Sequence, residues 1–281
     1  MIKNILKGMV IGIANVIPGV SGGTMMVSMG IYDKLIHCIT HLFSEFKKNV
    51  MFLLPIVIGM GLAIIGSSFT IEKAFEKFPL QTSLMFVGLV VGGLPAMWKN
   101  VKGQTIKPGH IAAFMVFFAV VVVMAFMGDT EGNAVDLSFN AINVVKLFSV
   151  GVIAAATMVI PGVSGSMMLL LLGYYYPVLS AINSFISDLI TLNIDGLLAG
   201  CGVLVPFGIG VVVGIFAIAK LIEIIFSKFP LYAYWAIIGL IVASPIAIIA
   251  MGSFPIINVM TVFAGIVSLA VGFVIAMKLG D

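Results

Sequence analysis

Seven residues recur letter for letter in this chain, and they are residues that helices avoid. Val16-Ile-Pro-Gly-Val-Ser-Gly22 returns as Val159-Ile-Pro-Gly-Val-Ser-Gly165. Each copy interrupts a long apolar stretch, from about residue 2 to 39 and from about 144 to 186. The surroundings repeat as well. Lys3, Gly8, Gly30 and Tyr32 match Lys146, Gly151, Gly173 and Tyr175, and Ile71–Leu80 aligns with Ile222–Leu231 at seven of ten positions. Pro55 and Gly59 match Pro206 and Gly210 in that second register. The chain is a duplicated unit whose copies each begin with a helix that must break.

What surrounds the breaks decides the solvent. Of 281 residues, 62% are hydrophobic and 9% charged, with 14 lysines and no arginine. A soluble domain carries about a quarter charged residues, and disorder requires low hydrophobicity. Both classes are excluded, and lipid is the solvent. The net charge of +3 is dispersed and gives no footprint for nucleic acid. Cys38 and Cys201 sit in apolar stretches and form no disulfide framework. The N-terminus lacks a small-x-small cleavage site after its apolar run and reads as mature membrane sequence. Six uninterrupted stretches are long enough to span a bilayer: about 51–70, 80–98, 111–128, 196–219, 231–251 and 256–277.

The expected fold is an all-α integral membrane protein of two repeats, 1–128 and 144–281, each one broken segment followed by three spans. If the broken segments cross, the repeats are parallel; if they are re-entrant hairpins, the repeats are inverted. Lysines favour cytoplasmic loops. With the N-terminus inside and both segments as hairpins, the lysines divide 11 inside to 3 outside, the three being Lys73, Lys77 and Lys146. The crossing arrangement gives 8 to 6 and places the acidic loop with Asp129, Glu131 and Asp136 inside. The hairpin arrangement is therefore preferred, with both termini cytoplasmic. Arms of about 16 residues would extend roughly 24 Å, bringing the tips near the midplane. Beyond them, Leu35, Ile36, Ile39, Leu42, Phe43 and Phe46 form an apolar face, with Val178, Leu179, Ile182, Phe185, Ile186 and Leu189 as counterpart, as expected of arms lying in the interface.

Helix-breaking backbone at membrane depth survives only when buried in protein or lining a polar cavity. Where a helix restarts after the break, its first N–H groups are free and its dipole is positive. Pro18, Gly19, Ser21, Gly22, Gly23 and Thr24 in one tip, and Pro161, Gly162, Ser164, Gly165 and Ser166 in the other, combine such backbone with hydroxyls. That is a cradle for an anion, phosphate above all, without a charged side chain. The plainer alternative is that Pro-Gly turns the hairpins and the serines cap the new helices. Asn15, whose counterpart is Met158 with Thr157 beside it, either lines the site or glues helices. Lys77 and Lys228 hold equivalent positions and either receive a headgroup at the two entrances or snorkel. His37, His41 and His110 show no ligand spacing, and no metal or cofactor is expected. The pairs Gly8/Gly12, Gly88/Gly92 and Gly210/Gly214 fit close helix packing. No Asp or Glu lies at the centre of a span, so a carboxylate proton relay is hard to build. The coupling ion, Na⁺ or H⁺, stays open, with tip carbonyls pointing weakly to sodium.

Gly12-Ile-Ala-Asn-Val-Ile-Pro-Gly-Val-Ser-Gly-Gly-Thr24 with Gly30-Ile-Tyr32, and Gly151-Val-Ile-Ala-Ala-Ala-Thr-Met-Val-Ile-Pro-Gly-Val-Ser-Gly-Ser166 with Gly173-Tyr-Tyr175, resemble the two motifs of the bacterial polyprenyl-phosphate transporters. The resemblance covers essentially the whole chain. It implies a flippase of the bacterial cytoplasmic membrane that returns undecaprenyl phosphate, the lipid carrier of cell-wall precursors, from the outer to the cytoplasmic leaflet. Its partners would be that lipid and the membrane lipids around it. Integral-membrane undecaprenyl-pyrophosphate phosphatases also use re-entrant hairpins, with a Pro-Gly-x-Ser-Arg-Ser-Gly motif. Here Gly22 and Gly165 stand where that arginine would be, and the guanidinium expected against a transferring phosphoryl group is missing. A transporter is expected rather than an enzyme; a small-anion channel using the same tips is the other alternative.

Overall fold

The computed structural model describes residues 1–16, 20–127, 137–250, 252–255 and 257–280, with side chains omitted at 16 and 64–72. Every regular element among them is an α-helix. Among the described residues, seven helical segments are long and apolar enough to cross a membrane, as expected of a multi-pass membrane protein.

The duplication is visible in backbone detail. α1 (Ile2–Val16), α2 (Gly22–Ser28) and α3 (Tyr32–Thr40) make up the first broken segment; α8 (Ala141–Val159), α9 (Gly165–Leu171) and α10 (Tyr175–Thr191) make up the second. α2 and α9 are each stopped by a left-handed glycine, Gly30 at φ +64° and Gly173 at φ +76°. In both, the glycine N–H and the following N–H donate back into the last turn: Gly30 to Val27 and Ile31 to Met26, Gly173 to Leu170 and Tyr174 to Leu169. This is the Schellman stop, which a β-carbon would disfavour. α4 (Phe46–Lys77) and α11 (Ile194–Lys228) end at Phe78 and Phe229 with matching dihedrals, φ −135° ψ 54° and φ −136° ψ 55°. Pro79 and Pro230 then open α5 (Pro79–Val91) and α12 (Pro230–Ala250), where proline's missing N–H costs nothing.

Glycines set the pairing of the long helices. A β-carbon on Gly8 would strike the carbonyl of Ile56, and one on Gly59 that of Ile5; a β-carbon on Gly151 would strike Phe207, and one on Gly210 that of Phe148. The same four contacts thus join α1 to α4 and α8 to α11, with backbones too close for any side chain. The remaining helices exchange partners between the halves. α5 packs against α13 (Val259–Gly280) through Gly88, Gly92 and Gly272. α12 packs against α7 (Pro108–Phe126) through Gly239. The expected Gly-x3-Gly pairs therefore do serve as packing faces.

Three expectations change. The return arms after the breaks are not about 16 residues but seven, roughly 10 Å each, because the glycine stops end them. After its stop the second segment turns by 109° into α10. The span expected at 80–98 is found as Pro79–Val101, but it is not one unbroken helix, being interrupted at Gly92–Gly93 between α5 and α6 (Leu94–Val101). The end of α2 docks in that gap, where a β-carbon on Gly93 would collide with Ser28, and Ser28 Oγ donates to the Val90 carbonyl at 3.4 Å. Finally, the first apolar face stops short. Leu35 and Ile36 are buried, but Phe43 and Phe46 are exposed, because α3 ends at Thr40. Of the second face only Val178 is buried; Leu179, Ile182, Ile186 and Leu189 are exposed.

The main core lies around α2. Met25, Val27 and Met29 are almost completely buried among Ile11, Phe86, Val90 and Ile241. Lys7 reaches into the same region and donates to the Met29 carbonyl at 2.7 Å. It thereby satisfies one of the carbonyls left free at the C-terminal end of α2. Every other lysine is exposed.

Candidate functional site

In both broken segments the short helix after the break packs against the helix before it. Gly22 lies against Asn15 of α1, so that a β-carbon would strike Asn15 Oδ1. Gly165 lies against Met158 of α8, 2.6 Å from its β-carbon position to Cγ. Asn15 and Met158 are repeat equivalents, so each half uses the same close approach.

The first tip is interlocked with the second. The Gly162 N–H donates to Thr24 Oγ1 at 2.6 Å, Ser21 Oγ donates to the Ile160 carbonyl at 3.5 Å, and the Tyr32 hydroxyl donates to the Val159 carbonyl at 3.2 Å. Gly23 sits 3.0 Å, by its β-carbon position, from that same Val159 carbonyl. Breaking α8 frees these carbonyls, and the first tip's hydroxyls satisfy them, as buried backbone requires. Ser21 also caps α2, accepting the Thr24 N–H at 3.4 Å. Gly162 itself has φ +80°, and Leu240 Cβ lies 2.7 Å from where a β-carbon would stand. Pro161 is buried at this junction. Pro18 and Gly19 fall outside the described residues.

On the other side of the interlock lies a cavity of about 280 Å³. Both tips contribute to it: Asn15, Val20 and Gly22 from the first, Met158 and Val163 to Ser166 from the second, with Tyr175 also in the lining. No charged residue lines it. Ser164 and Ser166 share a hydrogen bond at 2.9 Å between their hydroxyls. Each hydroxyl keeps the capacity for a further bond. The seven-residue helices beyond the breaks leave first-turn N–H groups at Gly22 and Gly165 without intrahelical acceptors. Short helices have small dipoles, so the chemistry of the cavity rests on amides, hydroxyls and the Asn15 amide. It can hydrogen-bond an anion, and no arginine, lysine, histidine or carboxylate stands in its lining.

A second cavity, about 410 Å³ and almost wholly apolar, lies across the Ile160–Pro161 segment, walled by Tyr32, Phe117, Leu221, Phe226, Tyr232 and Leu240. The expected site residues thus divide. Asn15, Gly22, Ser164, Gly165 and Ser166 border the polar cavity, whereas Ser21, Gly23, Thr24 and Gly162 build the interlock. Thr157 bonds back to Ile153 and Ala154 in its own helix and takes no part. Lys77 and Lys228 close α4 and α11, both exposed, and border neither cavity. Sequence reasoning overlooked Tyr32 and Tyr175, although both stood in the repeat. It also denied ligand spacing to His37 and His41; the structure corrects this, stacking them one turn apart beside Glu223 of α11.

Residues 11–254 match a family described as undecaprenyl phosphate translocase-like. A polyprenyl-phosphate transporter of Staphylococcus aureus is 32% identical over 282 residues, covering 99% of this chain and 95% of that protein. A polyprenyl-phosphate transporter of Vibrio cholerae is 30% identical over 209 residues, covering 69% of this chain and 65% of that protein. These names denote transport, not catalysis. No solved structure matches the chain significantly.

Proposed function

The chain belongs to the undecaprenyl phosphate translocase-like family, and from that premise we propose that it flips undecaprenyl phosphate between the leaflets of the bacterial cytoplasmic membrane, holding the phosphate between its two Pro-Gly-Val-Ser-Gly tips. The observation that carries this is the uncharged polar cavity to which both tips contribute. Ser164, Ser166, Asn15 and the amides of Gly22 and Gly165 bind the phosphate there. Ser21, Gly23, Thr24, Pro161 and Gly162, with Pro18 and Gly19 in the first turn, set the distance between the tips. The apolar cavity past Pro161 receives the first isoprene units, and the remaining tail stays in lipid. Lys77 and Lys228, at the ends of α4 and α11, attract the headgroup to the two membrane faces before it enters.

The two repeats are inverted in this proposal, with re-entrant hairpins. The contact between His41 and Glu223, at 3.2 Å, supports that topology: with crossing segments, residue 41 would lie outside and residue 223 inside. The repeats also differ in closure. Tyr32 seals the first tip against Val159, while its equivalent Tyr175 borders an open cavity. Exchanging those two conformations moves the cavity to the other side of the tips, which is alternating access about a fixed midplane site.

The test is binding of undecaprenyl phosphate to purified protein by native mass spectrometry. Competition by short-chain polyprenyl phosphates, but not by inorganic phosphate, is expected. Equal competition by inorganic phosphate would indicate a small-anion pathway, and release of phosphate from the pyrophosphate lipid would indicate an enzyme.

A further inference from the structure

Away from the tips, one cluster gathers metal-ligand chemistry from two elements far apart in the chain. His37 stands in the last turn of α3 and His41, four residues on, is its C-cap residue, a spacing that keeps two imidazoles on one side of the helix end. Their rings stack with centroids 4.2 Å apart. Glu223 of α11 brings Oε1 to 3.2 Å from His41 Nδ1 and 3.7 Å from His37 Nδ1. One ligand atom from each residue lies within 4.8 Å of the other two. The carboxylate is held from behind. Lys220 Nζ donates to Oε2 at 2.7 Å, and Thr40 Oγ1 donates to Oε1 at 3.0 Å. The histidine side chains are 49% and 36% exposed, so the cluster opens to solvent on its imidazole side.

We propose that His37, His41 and Glu223 bind one divalent transition-metal ion of the Zn²⁺ class, bridging α3 and α11. A tetrahedral centre with bonds of about 2.0–2.1 Å spaces its ligand atoms roughly 3.3 Å apart. The two histidine–carboxylate separations bracket that value, and ring rotation of two solvent-exposed imidazoles closes the rest. Two imidazoles and one carboxylate suit Zn²⁺, Co²⁺ or Ni²⁺; Mg²⁺ and Ca²⁺ demand oxygen shells that this cluster does not offer. The fourth position falls on the open side and belongs to water. Lys220 and Thr40 orient the carboxylate in the way that outer partners fix metal ligands. The repeat equivalents of His37 and His41 are Ser180 and Ser184, so the site exists at one end of the molecule only. A bound ion ties the segment leaving the first tip to α11. The proposal stands on this cluster and is independent of the transported lipid.

Full-length protein purified in detergent without a polyhistidine tag, and stripped with EDTA, is titrated with Zn²⁺ by calorimetry and with Co²⁺ by visible absorption. One ion per chain is expected, with the intense d–d bands of a tetrahedral Co²⁺ centre. The double variant His37→Ala/His41→Ala should lose at least about tenfold in affinity together with those bands, and Glu223→Gln should weaken binding in the same sense. Substoichiometric Zn²⁺ binding, or undiminished affinity in the double variant, would overturn the proposal. His37 is exposed, His41 is half-buried and neither belongs to the core, and an unchanged melting temperature of the metal-free double variant checks that its fold is kept.

Discussion

At positions 22 and 165 the chain has no room for a β-carbon, because Asn15 and Met158 occupy the space beside each tip. The same absence of side chains lets backbone amides face the cavity. With no cation in the cavity lining, Ser164 and Ser166 would carry much of the hold on a phosphate in the proposed site. A hydrogen bond to a charged group is worth about 1.5–3 kcal/mol, which is roughly tenfold or more in affinity. Ser164→Ala/Ser166→Ala should therefore lower binding of undecaprenyl phosphate by at least about tenfold in native mass spectrometry, with the melting temperature in detergent little changed. The interlock behaves in the opposite way. Thr24 is fully buried and accepts the Gly162 N–H. Thr24→Val strands that donor, at a cost of about 1–3 kcal/mol. Thermal unfolding in detergent should show a clear loss of stability for this variant.

Between elements, the glycine contacts separate helix packing from helix propensity. In Gly59→Ala or Gly210→Ala the new methyl group meets the carbonyl of Ile5 or Phe148, and backbone cannot rotate out of the way as a side chain can. Each should cost about 1–3 kcal/mol through overpacking. Gly61 and Gly208 lie on the same two helices with open space where a β-carbon would stand, so Gly61→Ala and Gly208→Ala should be neutral or slightly stabilising. Melting temperatures of the four variants check the contrast. This packing was legible in the sequence because it depends on residue size and spacing alone. The duplicated tips were legible for the same reason: Pro-Gly announces a break wherever it stands. The length of the return arms was not, since it depends on Gly30 and Gly173 taking positive φ, and a glycine within an apolar run gives no sign of its φ. The division of the tip residues between cavity and interlock was hidden too. Ser21 and Ser164 are identical in local sequence, yet Ser21 Oγ reaches Ile160 while Ser164 pairs with Ser166. The difference comes from how two distant segments meet. His41 and Glu223 likewise share no local pattern.

Across the whole molecule, length and contact together constrain how the chain threads the membrane. α11 has 35 residues, about 52 Å, against roughly 30 Å of hydrocarbon, so part of it projects into an interface. Lys220, Glu223 and Lys228 mark the charged end. α3 rests on that end through Thr40, His37 and His41, which puts the outlet of the first broken segment at the same face. The exposed helix α10 leaves the second broken segment, and in the proposed inverted arrangement it would lie at the other face. The lysine distribution agrees, with Lys34, Lys47, Lys48, Lys220 and Lys228 all on the cytoplasmic side of the hairpin arrangement. Cysteine labelling reads this directly. Cys38 is buried and Cys201 half-buried, and both are first replaced by serine to clear the background. Glu45→Cys is then expected to resist a membrane-impermeant maleimide in intact cells and to react in inverted vesicles. Ile190→Cys should do the reverse. Labelling of both from the same side would mean that the second broken segment crosses, and labelling with the two sides exchanged would mean that the first does; either way the inverted repeat, with the exchange of closure between Tyr32 and Tyr175, would fall.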